Sequence, residues 1–314
     1  MINYYKNKKI LIAGGSGLVG SNLNNKLLNF KSKVIASYFK NKKNNSNYRK
    51  YNFLKMTDCL KATKGKDIVF ICAVKGSGIK NLENNFFEEN LKNITVRLNL
   101  IESCRVNKVK KIIWISSSTI YQPSNNAISE KELDNNLNPY PIYYGVGWSY
   151  RYLEKAIWYY NIKFKMDIKI IRTSSIYGPY DNFESEKSHV IPSLIKKTYN
   201  NKIIDVWGDK NIVRDFVFVD DLIEAMLKVI PKTTLNFPLN FSSGKPTTIK
   251  NLVEIILKIY EKPKKIRYKF FNRSSAKYRV LDNSKISKLI KIKNRTNLET
   301  GLRKTIAWYK ENVK

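Results

Sequence analysis

Glycines are the first residues in the chain whose spacing could do chemistry. GGSGLVG occupies 14–20 and sets Gly14, Gly17 and Gly20 at three-residue intervals. An apolar run precedes it and a helix-like segment follows, the context in which such a triplet holds a dinucleotide. Gly14 permits the tight turn, Gly17 lets the backbone approach a pyrophosphate, and Gly20 lets the helix pack closely on the sheet. The helix N-terminus then faces the anion. Ser16, Leu18 and Val19 complete the candidate cofactor contacts of this turn. The next strand ends in Ser37-Tyr38-Phe39-Lys40. NAD preference asks for a carboxylate there, to hold the ribose 2′-hydroxyl. Its absence, with Lys40 nearby to meet a 2′-phosphate, favours NADP, with NAD as the alternative.

Other reactive side chains are few. Cys59, Cys72 and Cys104 lie far apart with no CxxC pair, and His189 is the one histidine. No metal site is expected, since neither a cysteine cluster nor several imidazoles are available. A disulfide framework is equally unexpected, and a reducing cytoplasm fits.

The elements that must position these groups show in the hydrophobic pattern. Short apolar runs at 10–13, 34–37, 68–73, 112–116 and 168–171 read as strands buried on both faces. Helix-like stretches at 21–30, 91–106 and 148–160 lie between them. In 91–106 the apolar members Leu91, Ile94, Leu98 and Ile101 share one face. The alternation predicts an α/β fold with a Rossmann-type, doubly wound parallel sheet. Beyond Gly178-Pro179 the pattern is irregular: helices at 190–199, 222–229, 248–259 and 297–312 and a strand at 216–219. The Asn/Lys-rich tract 40–50 reads as a loop.

At 314 residues the chain has room for two fused domains, and 43% hydrophobic content excludes a disordered polycation. The formal charge of +33 raises nucleic acid as a partner. It is, however, spread along the whole chain, and Lys, Asn, Ile, Tyr and Phe all have AT-rich codons. Base composition therefore accounts for most of it, and no nucleic-acid partner is expected. No window approaches 18 uncharged apolar residues, so no membrane association is expected either.

More specific strings follow the glycine turn: CAVKGSG at 72–78, SSSTIYQ at 116–122, SIYGPYDNF at 175–183 and SHVIP at 188–192. VWGDKNIVRDFVFVDD at 206–221 and NLETGLRKTIAWYKEN at 297–312 complete the set. In this order they resemble the extended short-chain dehydrogenase/reductase family (the NAD-dependent epimerases and dehydratases), and within it the GDP-L-fucose synthases. Those enzymes epimerise and then reduce GDP-4-keto-6-deoxymannose for surface polysaccharide. The resemblance covers nearly the full chain. It implies a dinucleotide-binding domain over 1–175 and a smaller, mainly nucleotide-sugar-binding α/β domain over 176–314, with one crossing back. It also implies a GDP-linked sugar as substrate and a homodimer built on two helices per subunit.

Carried over by position, the resemblance makes Ser117 a hydroxyl for the sugar 4-oxygen and His189 an acid for epimerisation. Thr119 stands where the family has a cysteine base, and a threonine hydroxyl is far less acidic than a thiol. Arg214 matches an arginine for the diphosphate, its planar fork suited to phosphate oxygens. Arg279, Trp207 and Asn182 match pocket positions, and Ala73 and Lys75 match cofactor contacts in CAVKGSG.

One departure matters. The family's redox chemistry uses Tyr-x-x-x-Lys, in which the tyrosine moves a proton and the lysine lowers its pKa and grips a ribose. Counting from Ser117 and from Gly178 puts Val146 and Tyr150 at those positions. A register on Tyr144 places Trp148 at the lysine position, and one on Tyr143 places Gly147 there. Tyr144 is the candidate acid, with Tyr143 and Tyr150 as alternatives and Arg151 as a replacement charge. Three readings stay open: an epimerase/reductase, an epimerase that relies on His189 and Ser117 without net redox, and a nucleotide-sugar or dinucleotide binder without turnover.

Overall fold

A computed structural model describes residues 1–40, 45–74, 86–184, 188–232, 237–261, 264–269, 276–292 and 295–313. After a one-turn α1 (Ile2–Tyr5), strands β1 (Lys9–Ala13), β2 (Lys33–Tyr38), β3 (Tyr48–Lys50), β4 (Ile68–Ile71), β5 (Lys111–Ser117) and β6 (Ile168–Thr173) run through the first half. Helices α2 (Leu18–Asn29), α3 (Met56–Thr63), α4 (Phe86–Val106) and α5 (Tyr144–Lys163) connect them. Then come β7 (Ser175–Tyr177), α6 (Val190–Asn200), β8 (Ile203–Trp207), β9 (Val213–Arg214), β10 (Phe216–Phe218) and α7 (Val219–Val229). The chain continues through β11 (Leu239–Phe241), β12 (Thr247–Thr248), α8 (Ile249–Tyr260), β13 (Lys265–Lys269), β14 (Tyr278–Arg279), α9 (Ser284–Leu289) and α10 (Leu298–Asn312).

Seven strands pair in parallel in the order β11-β6-β5-β4-β1-β2-β3. Their near-continuous Ile/Val runs fit burial on both faces. One face packs against α2, α7 and α9 through Leu23, Leu27, Leu222, Met226 and Ile286. The other packs against α3, α4 and α5 through Cys59, Ile101, Cys104, Leu153 and Ile157. The strand order reverses between β1 and β4, which opens a crevice at their carboxyl ends, the place where ligands enter such sheets. A third core holds Ile191, Ile195, Leu252, Ile256, Leu302 and Ile306 of α6, α8 and α10. Two-stranded β8–β13 and three-stranded β12–β9–β14 belong to this second lobe.

Two expectations need correction. The tract 40–50 is not wholly a loop, since β3 occupies Tyr48–Lys50 and extends the sheet beside β2; positions 41–44 lie outside the described residues. The strand expected over 68–73 stops at Ile71, because Cys72 and Ala73 turn against Gly14. The later chain returns to the first sheet with α7, β11 and α9. Joining them, the Glu154 carboxylate accepts from Ser116 (2.6 Å) and from the Arg172 guanidinium (2.6 Å). Arg172 donates to the Tyr121 hydroxyl, which donates to Asn240, the central residue of β11. Removing one member of this buried pair would cost roughly 3–5 kcal/mol. Among the described residues, no helix is long and apolar enough to cross a membrane, and no three His, Cys, Asp or Glu side chains cluster to hold a metal.

Candidate functional site

The glycine turn lies at the crevice. Gly14 has φ +86°, and a Cβ there would press within 2.7 Å of the Ala73 backbone. A Cβ on Gly20 would fall 2.1 Å from the Gly14 carbonyl oxygen, so helix and turn approach only because the side chain is missing. Gly17 differs: a Cβ would meet only the Gly14 oxygen, at 3.6 Å. That side of the turn is open, and α2 begins there without a side-chain cap, which leaves the Leu18 and Val19 ends of the helix to an anion. Turn and crevice fit a dinucleotide pyrophosphate. Ser37, just before the end of β2, is buried and accepts the Gly14 N–H at 2.8 Å, and no carboxylate follows through Lys40. Lys40 is exposed beyond it. Ala73 flanks the turn, whereas Lys75 lies outside the described residues.

A second group of side chains gathers where the sheet meets the second lobe. The Thr119 hydroxyl donates to the Ser117 oxygen at 2.9 Å, in the short turn that follows β5. Gly147 lets the first turn of α5 reach this loop, since a Cβ there would lie 2.6 Å from the Thr119 carbonyl oxygen. The preceding 3-10 turn, Pro141–Tyr143, then sets Tyr143 beside Thr119 and Arg279 in one cleft, with Tyr140 and Gln122 also on its wall.

Arg214 and Arg279 are direct cross-strand partners in the parallel β9–β14 pair. Like charges placed opposite each other repel. Among the described residues neither has a carboxylate partner. Arg214 is buried, and its Nη1 donates to the Val213 and Ala276 carbonyls. Burial, then the charge of Arg279, pulls its pKa down to about 10, which still leaves it cationic at neutral pH. The Arg279 guanidinium lies 4.8 Å from the Tyr143 ring centre, and its Nε is buried without a hydrogen-bond partner. Two crowded cations without a counter-ion make an anion site.

Tyr143 is held between them. Burial alone would push its hydroxyl pKa up, yet the Arg279 and Arg214 charges and their contacts with the hydroxyl outweigh that and hold it below the ordinary phenol value. His189 is the N-cap of α6. Desolvation of the imidazole, then the Arg279 charge, lowers its pKa below that of an ordinary imidazole. An anion neutralising Arg279 would make it easier to protonate.

The structure therefore sets Thr119, Tyr143 and Arg279 in one cleft, with Ser117 bonded to Thr119 and Arg214 opposite Arg279, while His189 stands exposed at the start of α6 within range of the Arg279 charge. Tyr144, the candidate acid of the sequence, begins α5 and is 54% exposed. The two neighbours differ because the backbone changes from 3-10 turn to α-helix between them. Trp207 lies on the β8–β13 ribbon, a different sheet from Arg214 and Arg279, with Lys269 5.2 Å from its ring. Asn182 is exposed, and its Oδ1 accepts the Glu184 N–H. Arg151 is not a free replacement charge: its guanidinium donates to the Ile120 and Leu137 carbonyls and stacks on Trp148. Sequence reasoning passed over Arg97, although an arginine three residues after Ile94 and four before Ile101 falls on the apolar face of α4.

The sequence model of the NAD dependent epimerase/dehydratase family matches residues 10–237. GDP-mannose 3,5-epimerase of Arabidopsis thaliana is 27% identical over 98% of this chain and 84% of its own length. GDP-L-fucose synthase 1 of the same plant is 27% identical over 98% of this chain and 95% of its own. Among solved structures, UDP-glucose 4-epimerase of Thermotoga maritima superposes with a TM-score of 0.87 at 23% identity, over 98% of this chain and all of that one.

Proposed function

The chain belongs to the NAD dependent epimerase/dehydratase family, and from that premise we propose a nucleotide-sugar epimerase/reductase of GDP-L-fucose-synthase type. The observation that carries this reading is the convergence of two guanidiniums without a carboxylate partner on the Tyr143 hydroxyl, beside Ser117 and Thr119. Arg214 and Arg279 clamp the diphosphate of a GDP-linked sugar. The Ser117 hydroxyl hydrogen-bonds the sugar's 4-oxygen. Tyr143, more acidic than an ordinary phenol, gives that oxygen its proton. His189 exchanges a proton with the sugar during epimerisation once the bound diphosphate has offset Arg279.

Gly14, Ser16, Gly17, Leu18 and Val19 hold the dinucleotide, and NADP is preferred because Ser37-Tyr38-Phe39-Lys40, at and after the end of β2, holds no carboxylate and offers Lys40. A nicotinamide dinucleotide, when bound, supplies hydride. The working unit is a homodimer formed through α4 and α5, whose outer faces expose Phe87, Leu91, Tyr152 and Tyr159. Unpaired Cys59, Cys72 and Cys104 support a cytoplasmic setting. Val146 and Tyr150 at the Tyr/Lys positions favour a second reading, a nucleotide-sugar binder without turnover. Incubation of the protein with GDP-4-keto-6-deoxymannose and NADPH separates the two. Oxidation of NADPH with a 3,5-epimerised, 4-reduced product is expected, and an unchanged sugar with NADPH bound but not consumed would establish the binder.

A further inference from the structure

A second cavity, of about 180 Å³, shares no lining residue with the Tyr143 cleft. It lies at the edge of the main sheet. Among the described residues only Ile171, Arg172 and Thr173 of β6 pair with β11, so the start of β6 has a strand neighbour on one side alone. Ile168 and Ile170 of that part line the cavity, with Arg151, Lys155 and Trp158 of α5 and with Phe237 just ahead of β11. Steps of four and three put the α5 residues on one helix face, offset from that of the exposed Tyr152 and Tyr159. Trp158 is 54% exposed and Phe237 41%, so two aromatic rings meet water here. Apolar walls with a few polar groups are the usual make-up of a small-molecule site. The volume admits a single ring with a substituent, since a cavity of about 150 Å³ takes up benzene.

The polar groups of the wall fix the charge of the ligand. Glu154 and Arg172 both line the cavity and neutralise each other. Arg151 and Lys155 are left over, and among the described residues neither forms an ion pair. Arg151 is 2% exposed. Its Nε and Nη1 donate to the Ile120 and Leu137 carbonyls at 2.7 and 2.6 Å, while its Nη2 is buried without a hydrogen-bond partner. Burial pulls the Arg151 pKa down, and the Asp134 carboxylate offsets that only in part. Such a cation is costly to bury, and an anion in the cavity would meet its orphaned N–H. Lys285 adds a further positive charge, its ammonium 3.6 Å from the centre of the Phe237 ring.

We propose that this cavity is a binding site for a small aromatic carboxylate, separate from the nucleotide-sugar cleft. Its carboxylate meets Arg151 and Lys155, and its ring packs against Trp158 and Phe237. An inorganic anion would leave the aromatic walls wet, and a neutral ring would leave the guanidinium unpaired. The site adjoins the turn Ser118–Ile120, whose last carbonyl Arg151 holds.

Titration calorimetry with benzoate and with its neutral counterpart benzamide tests this without any turnover. Benzoate should bind saturably, and benzamide at least tenfold more weakly. Lys155→Glu and Trp158→Ala change exposed side chains that the fold does not depend on, and each should weaken benzoate roughly tenfold. Arg279→Gln, which alters the other anion site, should leave benzoate affinity as it is. Absence of saturable benzoate binding, equal affinity for benzamide, or binding that ignores both Lys155→Glu and Trp158→Ala overturns the proposal. Loss of benzoate binding in Arg279→Gln would assign the ligand to the Tyr143 cleft and overturn it as well.

Discussion

Tyr143 and Tyr150 are both buried phenols beside arginine, seven residues apart, yet their surroundings differ in kind. Tyr150 sits on regular structure: a helix–helix–strand junction where one guanidinium bonds its oxygen and a tryptophan fixes its ring. Tyr143 sits on the last residue of a 3-10 turn, facing two guanidiniums that a short parallel strand pair forces together. The rigid junction suits core packing around one fixed hydrogen bond. The crowded pair suits acidity, because two uncompensated cations stabilise a phenolate where one hydrogen bond only orients a phenol. Repulsion between Arg214 and Arg279 is held in check by the Arg214 bonds to the Val213 and Ala276 carbonyls.

The comparison can be broken most severely at the cofactor turn. Gly17→Asp places a carboxylate against the pyrophosphate and should lower NADPH affinity roughly a hundredfold or more, while GDP-sugar binding persists. Calorimetry with each ligand reads this directly, and loss of both would mean that the turn serves the fold and not the dinucleotide alone. Next in size, Tyr143→Phe should cut turnover roughly 10²- to 10⁴-fold and leave NADPH affinity intact, whereas Tyr144→Phe should change neither. Steady-state kinetics beside the titrations would expose an exchange of roles if Tyr144→Phe were the damaging change.

Arg279→Gln sharpens the comparison at smaller amplitude, by raising KM for the nucleotide-sugar roughly tenfold. It also has a pH signature whose sign is fixed. Tyr143 acts as a donor only while protonated, and the Arg279 charge lowers its pKa. Removing that charge raises the pKa, so the alkaline fall of the pH–rate profile should move to higher pH. A fall that stays in place would remove Tyr143 from the proton path.

Much of the frame was legible because its signals are local. The glycine turn, the apolar runs of β1, β2, β4, β5 and β6, and the periodic faces of α4, α5, α8 and α10 depend on neighbouring residues. The strands β3 (YRK) and β11 (LNF) were not legible, since, unlike the continuous apolar run of β10, their polar members hide the signal and they become strands only by pairing with β2 or β6. Arg97 was legible in principle as a charge interrupting an apolar stripe, but its meaning depends on Tyr150, 53 positions away.

By itself, the sequence determined a glycine-rich turn on a parallel sheet, and the presence of Val146 and Tyr150 where the resemblance expects a tyrosine–lysine pair. Those follow from spacing along the chain. The tertiary structure alone buried Tyr143 and left Tyr144 exposed, because a change from 3-10 turn to α-helix swings adjacent side chains to different sides. It alone also set Arg214 opposite Arg279, since strand pairing, which no local pattern encodes, brings together residues 65 positions apart.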